Sequence, residues 1–376
     1  MLITYKNITQ QEITDNNIDT IALMLQPNPT ISTEQQVKIT TFEKDKNDFR
    51  KDDTFISNCV NKLVALSNRF STSITKPVNE YYEVFQIPKS SGGWREISSP
   101  QYPLKGLLTD FKNLLQYDFQ CLAHDSAYAY VPERSTVHAV KKHQEGNSNW
   151  FLKLDIHDFF GSHTKEFILN SLQSLYPFTY IMESEEGYNA LNTILCHCML
   201  NGGLPQGSPT SPILTNLCMI PFDFAMEKHL TYFKNAKITY TRYADDMIIS
   251  SYYKFNYREL VEEVKKLLSE LTPFEINETK TRFGSKNGRN WNLGLMYNKD
   301  GEVTVGWRNK RDFKHNLHAF MTATERMNPG SVQEFMGLVS YYLMIEKDYF
   351  SYIIRKYELK NRITLKAKAN WHLNLR

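Results

Sequence analysis

Cysteine is scarce and odd in number, five in 376 residues. Cys59, Cys121, Cys196, Cys198 and Cys218 stand in apolar surroundings without a paired CxxC frame, which excludes a disulfide scaffold and a structural zinc site. Cys196-His197-Cys198 offers three ligands in a row, but neighbours at i, i+1 and i+2 point apart on a helix or a strand and do not converge on one ion. The 14 prolines and 16 glycines are too few for a collagen-like or low-complexity chain. Long apolar runs are missing as well. Near the C-terminus the longest is Tyr341 to Ile345, far short of the roughly 20 residues that cross a bilayer. The N-terminal MLITYKNITQQEITDNN lacks the basic flank, apolar stretch and small-residue cleavage site of a secretory signal. A cytoplasmic protein without a membrane partner is expected. What is present is globular: 41% hydrophobic, 13% aromatic and 23% charged residues. At roughly 150 residues per domain the length suggests two to three domains, and a chain of this size buries about 75% of its unfolded surface without a covalent staple.

Net charge is only +3, but it is unevenly spread. The first 60 residues carry six Lys/Arg against nine Asp/Glu, while Ser351 to Arg376 carries seven against Glu358 alone, and Asn277 to His318 nine against four. Trp307, Phe313, Tyr352, Tyr357 and Trp371 interleave with these bases, a composition suited to a phosphate-tracking groove with stacking platforms. Lys366 and Lys368 are candidate backbone contacts within it.

Hydrophobic periodicity divides the chain into a polar helical head, an α/β middle and a basic helical tail. YYEVFQIPK, SSGG and WREISSP read as strand, turn and strand. Pro103 to Cys121 has a helical period. NWFLKLDI alternates, which places Leu152, Leu154 and Ile156 on one face and Phe151, Lys153 and Asp155 on the other. The runs 237–243 and 247–252 flank Ala244-Asp245-Asp246 as a tight hairpin. Arg258 to Leu271 is an amphipathic helix stopped by Pro273, and Ser331-x-x-Glu334 reads as a capping box.

The informative residues are Asp155 at the end of one strand and Asp245-Asp246 at a hairpin. If these strands are neighbours, three carboxylates meet at one rim. Two unit charges 4 Å apart repel by about 4 kcal/mol at an effective dielectric of 20, so such a cluster calls for a cation or a proton. Hard divalent ions about 3.5–4 Å apart are the usual answer in polymerases and nucleases.

Around these acids stand LPQGSPTSPILTN, from Leu204, and YADD, from Tyr243. With FQIPKSSGGWREISSP, AHDSAYAYVPERSTVHAVKKH, LDIHDFF, NETKT and LGLMYN in order, the chain resembles the bacterial reverse transcriptases, the branch shared by retron, group II intron and defence-associated enzymes. The resemblance runs from about Val84 to Tyr342. It implies an α+β right-hand polymerase. Its parts are an N-terminal helical extension (1–75), fingers (76–150 with part of 165–200), a palm with an antiparallel sheet (151–305) and a basic helical thumb (306–376).

By the same resemblance Asp155, Asp245 and Asp246 are catalytic and, with the Ile156 carbonyl, hold two Mg²⁺ ions, for which Mn²⁺ is a possible substitute. Lys89, Arg95, Asp158, Phe160, Gln206 and Lys280 face the incoming dNTP. In that set Lys89 and Arg95 clamp the triphosphate, Phe160 excludes a ribose 2′-OH, and Lys280 donates a proton to, or contacts, pyrophosphate. Tyr243, Arg134 and the Leu293-Gly294 primer grip lie along primer and template. The implied partners are a noncoding RNA template, the DNA/RNA duplex product and dNTPs; the template's identity, the priming chemistry and the oligomeric state stay open.

The NAxxH element and VTG triplet of retron enzymes are missing, and VTV at 303–305 is not VTG. About 70 residues after Gly306 leave little room for maturase or endonuclease segments. A stand-alone, defence-associated enzyme is therefore expected ahead of a retron enzyme that makes RNA-linked cDNA. A catalytically silent RNA-binding scaffold is a third possibility, disfavoured because a scaffold has no need of clustered acids.

Overall fold

The computed structural model describes residues 53–89, 92–231, 238–286, 293–298 and 300–374. The expected helices of 1–52 and Ser90-Ser91 of the SSGG turn lie outside the described residues.

The chain opens with α1 (Asp53–Ser73), then the hairpin β1 (Tyr82–Pro88) and β2 (Trp94–Pro100), then α2 (Leu104–Asn113) and α3 (Thr136–Glu145). β3 (Trp150–Asp155) is followed by α4 (Lys165–Gln173), α5 (Phe178–Ile181), α6 (Glu185–Cys198), α7 (Ser211–Cys218) and α8 (Ile220–Thr231). Next come β4 (Ile238–Tyr243), β5 (Asp246–Ser251), α9 (Tyr257–Leu271), β6 (Arg282–Ser285) and the short pair β7 (Met296–Tyr297) and β8 (Val303–Thr304). The C-terminal helices are α10 (Gly306–Thr322), α11 (Pro329–Ile345), α12 (Lys347–Asn361) and α13 (Leu365–Leu373).

The central sheet has the order β4-β5-β3-β6 and every pairing is antiparallel. As the alternation predicts, Leu152, Leu154 and Ile156 enter one core, where Leu260, Val264 and Leu268 of α9 cover them at helical spacing together with Phe222 and Met226 of α8. On the opposite face Phe151 stacks on Tyr297 at 5.6 Å.

A second core joins α1 to the fingers helices: Leu63, Leu66 and Phe70 share it with Leu108, Phe111, Leu191 and Leu195. The described part of 1–75 is thus not set apart from the fingers, because an amphipathic helix buries its stripe against whatever apolar face is nearest. A third core packs Phe313, Phe320, Val332, Phe335 and Phe350 of the C-terminal helices together with Val137 and Val140 of α3.

Two local expectations are corrected. The α11 helix is capped by Asn328, whose side chain accepts from the Gly330 N–H, with Pro329 in the first turn. Proline's fixed φ starts the helix two residues before Ser331, so the Ser331-x-x-Glu334 pattern lies inside it. The palm turn consists of Ala244 and Asp245 alone, since Asp246 pairs with Tyr243 and already belongs to β5.

Candidate active site

Asp155 closes β3, and its Cα partner across the antiparallel ladder is Asp246 at the start of β5. Directly opposed residues of a ladder share a face, so both carboxylates leave the sheet on the same side. Asp245 sits in the two-residue turn beside them, and its carbonyl accepts from the Ile156 N–H at 3.0 Å. The strand then crosses Ile276 in an isolated bridge, which binds the carbonyls of Asp155 and Glu275 to Asn277 and His157. None of these bonds uses the Ile156 carbonyl.

The ladder brings the three acids close enough for the charges of Asp246 and Asp155 to act on Asp245. Among the described residues no group of three or more His, Cys, Asp or Glu is arranged to hold a metal ion. Two of the acids are paired with lysines. Lys280 Nζ lies 2.8 Å from Asp155 Oδ1 and 3.0 Å from Oδ2, and Lys153 Nζ lies 2.7 Å from Asp246 Oδ1. Burial, followed by the neighbouring charge of Asp246, raises the pKa of Asp245. Burial raises that of Asp246 too, with Lys153 pulling the other way. The Lys280 ammonium is held charged by Asp155. A rim that draws in two ammonium groups and still strains its remaining carboxylate has the donor chemistry of a hard divalent cation.

Phe160, half-buried, faces Tyr130 edge-on with ring centres 6.3 Å apart, and its carbonyl accepts from the Leu204 N–H. Tyr130 lies within the fields of Asp245 and Tyr243, which with burial raise its pKa, while Arg95 lowers it. The phenol is thus close enough to both Asp245 and Arg95 for their charges to act on it. Gln206 is half-buried, and its carbonyl accepts from the Ser98 N–H of β2 at 2.8 Å, tying the hairpin to the palm. Beside it Gly207 has φ +120°, and an added Cβ would lie 2.7 Å from the Ser98 carbonyl, so both the backbone conformation and the close approach require glycine. Lys89 and Arg95 flank the hairpin tip and are exposed; Ile87 is paired with Arg95 in the ladder. Asp158 is exposed at φ +40°, two residues before Phe160.

Other predicted residues are placed differently. Arg134 donates to the carbonyls of His124, Asp125 and Ala127 and to the Asp125 carboxylate, so its guanidinium braces the 124–127 loop instead of standing free for a template. Lys368 turns inward: it is 8% exposed, its Nζ donates to the Ala323 carbonyl, and it lies 3.9 Å from the Trp371 ring centre. A lysine stem of this kind packs along apolar surface, and here its head has found a helix-end carbonyl. Lys366, by contrast, is exposed. Leu293 and Gly294 both have positive φ and lead into buried Leu295 and the β7–β8 pair. Tyr243 is half-buried and adjoins Tyr341 of α11, which raises its pKa after burial itself.

Three residues near the acids escaped sequence reasoning. Lys153 was legible in principle, since strand alternation puts it on the face of Asp155. Tyr130 lies in a recognised motif, but nothing there separates it from Tyr128. Arg242 is fully buried against Asp223, and the only hint was one acid inside the apolar string IPFDFAM.

An antiparallel sheet with acids at one rim, a separate hairpin with Lys89 and Arg95 at its tip and a C-terminal helical module are the parts of a right-hand nucleic-acid polymerase. The chain belongs to the reverse transcriptase family, whose model, described as reverse transcriptase (RNA-dependent DNA polymerase), matches residues 87–313. It is 27% identical over 279 residues to the retron Ec73 reverse transcriptase of Escherichia coli, covering 73% of this chain and 86% of that protein. To the retron Mx162 reverse transcriptase of Myxococcus xanthus it is 28% identical, covering 71% and 58%. A solved telomerase from Candida albicans in complex with a fragment of telomeric RNA aligns at 12% identity and a TM-score of 0.41, covering 78% of this chain and 62% of that one. The activity of the family is RNA-directed DNA polymerisation, and this chain is such a polymerase. Missing NAxxH and VTG elements therefore do not separate it from retron enzymes. No helix among the described residues is long and apolar enough to cross a membrane.

Proposed function

We propose that the chain copies a noncoding RNA template into cDNA by two-metal nucleotidyl transfer, in antiphage defence. The observation that carries the mechanism is the ladder register Asp155↔Asp246 with Asp245 in the adjoining turn. Asp155, Asp245, Asp246 and the Ile156 carbonyl would hold the ions. Bound there, divalent metal supplies charge neutralisation at the triphosphate and a lowered pKa for the primer hydroxyl.

The chain's own side chains do the rest. Lys280, released from Asp155, stays protonated and faces the departing pyrophosphate as a proton donor. Lys89 and Arg95 close from the hairpin tip onto the triphosphate, the guanidinium as a bidentate fork and the ammonium as a point charge. The Phe160 ring lies beneath the sugar and rejects a 2′-OH sterically, while Asp158 and Gln206 line the same nucleotide subsite. Tyr243 and the Leu293-Gly294 turn support the primer strand. The palm is taken as 151–305 and the thumb as 306–376, with Lys366 on a duplex backbone.

The test is primer extension on RNA with Mg²⁺ or Mn²⁺, wild type beside Asp245→Asn. Template-dependent DNA from the wild type alone supports the assignment; equal activity in both refutes it. Phe160→Ala should admit rNTPs, and a variant as selective as wild type moves the gate elsewhere.

A second reading is favoured by the relatives, which are retron enzymes. In it the product is cDNA joined to its own RNA. Sequencing the nucleic acid that co-purifies with the protein separates the two, since a 2′–5′ branch between RNA and DNA belongs to the retron reading alone.

A further inference from the structure

Behind the catalytic hairpin lies a polar network with no access to solvent. Arg242 of β4 and Asp223 of α8 both have fully buried side chains. Arg242 Nε donates to Asp223 Oδ1 and Oδ2 at 2.9 and 3.1 Å, and Nη2 donates to Oδ2 at 2.7 Å. Tyr240 donates its hydroxyl to the same carboxylate at 2.8 Å.

The remaining nitrogen, Nη1, reaches away from the ion pair. It donates to Asn216 Oδ1 at 3.1 Å and points at the Ala244 carbonyl at 3.4 Å. Ala244 is the turn residue before Asp245 and has φ +57°, a left-handed conformation that a Cβ disfavours. Asn216 in turn donates to the Ala129 carbonyl at 2.8 Å, next to Tyr130. The backbone repeats the link: Arg242 N–H donates to the Ser126 carbonyl at 2.6 Å, and the Arg242 carbonyl accepts from Tyr128 N–H at 2.8 Å.

A buried ion pair is weak evidence of stabilisation, since apolar residues of similar volume often pack as well. What a planar guanidinium adds is direction, because its donors fix several acceptors at set angles. Here one acceptor, the Ala244 carbonyl, belongs to the turn before Asp245, and another, Asn216, carries the link on to the Ala129 carbonyl beside Tyr130.

We propose that Arg242, with Asp223 and Asn216, is a positioning device that sets the Ala244-Asp245 turn against the Tyr130 segment and so holds the nucleotide site in register. The proposal rests on the reading of Asp245 as a catalytic residue. Arg242 touches no reacting atom and acts through the turn.

The test uses the full chain with three changes: Arg242→Lys, Arg242→Met combined with Asp223→Leu, and Asn216→Ala. Melting temperature, template–primer affinity, kcat and the KM for dNTP are measured for each. The double variant should melt at or above the wild-type temperature, because no lone charge is left buried. Its kcat should fall about 100-fold, the order expected when a reacting group is misplaced by about 1 Å. Arg242→Lys keeps the charge but not the fork and should lose kcat in the same direction. Asn216→Ala should raise the KM for dNTP about 10-fold with kcat less affected, as it breaks the link to Ala129 while Nη1 keeps the Ala244 carbonyl. Template–primer affinity should not move. A folded double variant with wild-type kcat overturns the proposal, and so does a double variant that unfolds, since the pair would then serve the fold. Asp245→Asn in parallel keeps the two readings apart: if it retains activity, the catalytic assignment fails, whatever the network does.

Discussion

The central sheet and the β1–β2 hairpin both carry charged residues, and they hold them in opposite ways. On the palm Asp155 is 4% exposed, Asp246 is paired with Lys153, and Arg242 behind them is wholly buried. On the hairpin both faces of β1 are open, with Val84 54% and Phe85 44% exposed, and Lys89 and Arg95 have no ion-pair partner among the described residues. The palm stores unfavourable charge in a rigid frame, so its acids are ready for a cation at a cost in stability. The hairpin stores nothing: its bases stay solvated until a polyanion arrives. One region should therefore gain stability and lose activity when a charge is removed, and the other should lose only affinity.

The largest effect that tests this contrast is Asp245→Asn. Primer extension should fall by roughly 10³-fold or more. Thermal unfolding at pH 7 should nevertheless rise by about 2 °C, because the folded state holds this carboxyl at a raised pKa. The sign follows from proton counting. A carboxyl with a higher pKa folded than unfolded binds more protons in the native state, so its burden on stability grows as pH rises through that interval and vanishes below it. The melting advantage of the variant should shrink between pH 7 and pH 4. A variant that melts below wild type at pH 7 would mean the palm charge is not strained, and the contrast breaks.

Arg95→Ala is the matching change on the hairpin. An exposed residue away from caps and networks should leave the melting temperature within about 1 °C. The KM for dNTP should rise about 10-fold, from the loss of one charge-assisted bidentate contact. Steady-state kinetics with a single correct nucleotide measures it, and a fall in kcat with KM unchanged would place Arg95 at the chemical step instead.

How much of this was open to inspection in the sequence depended on the range of the forces involved. Strand alternation in NWFLKLDI gave the face of every residue from Phe151 to Ile156, because period 2 is local geometry. The hairpin and the family motifs were legible for the same reason. The Lys280 pairing was not: Lys280 meets Asp155 from 125 positions away. Charge neutralisation by a distant residue leaves no local pattern. Lys368 misled because a lysine two residues from exposed Lys366 looks identical in composition, and only the packing of α13 against the end of α10 turns it inward. Arg134 is likewise turned to a structural use, Nη1 and Nη2 being bound to the loop beside it.

Buried histidines sharpen the contrast along the pH axis. His143 of α3 bridges Ser250 Oγ at 2.6 Å and Thr241 Oγ1 at 2.8 Å of the central sheet, and burial pushes its pKa down to about 3. His163, against the Phe159 carbonyl, is likewise pushed down to about 3. A base whose folded pKa lies below its unfolded value must stay neutral to stay folded. Stability is therefore complete above about pH 6.5 and is lost as pH falls from there toward 3. Each histidine should contribute up to about 1.4 kcal/mol per pH unit in that window. Urea unfolding at pH 6.5, 5.5 and 4.5 should show a slope that drops by one such step in His143→Gln, and an unchanged slope would show that this imidazole is protonated in the fold.

The smallest effect compares two lysines on one helix. Lys366 is exposed, whereas Lys368, two positions on, lies against Trp371 with its ammonium on the Ala323 carbonyl. A base on the duplex backbone releases about one counterion on binding, so its loss should lower the slope of log K against log salt by about 1. A base committed to a helix-end carbonyl releases none. Lys366→Ala should thus weaken template–primer binding, flatten the salt slope and leave the melting temperature unchanged. Lys368→Ala should leave the slope alone and lower the melting temperature, because its stem and its one hydrogen bond join α13 to the end of α10. Filter binding across a salt series reads the first effect and calorimetry the second. Should Lys368→Ala flatten the slope as much as Lys366→Ala, the inward lysine must swing out onto nucleic acid, and the division between stored and solvated charge would not extend to the thumb.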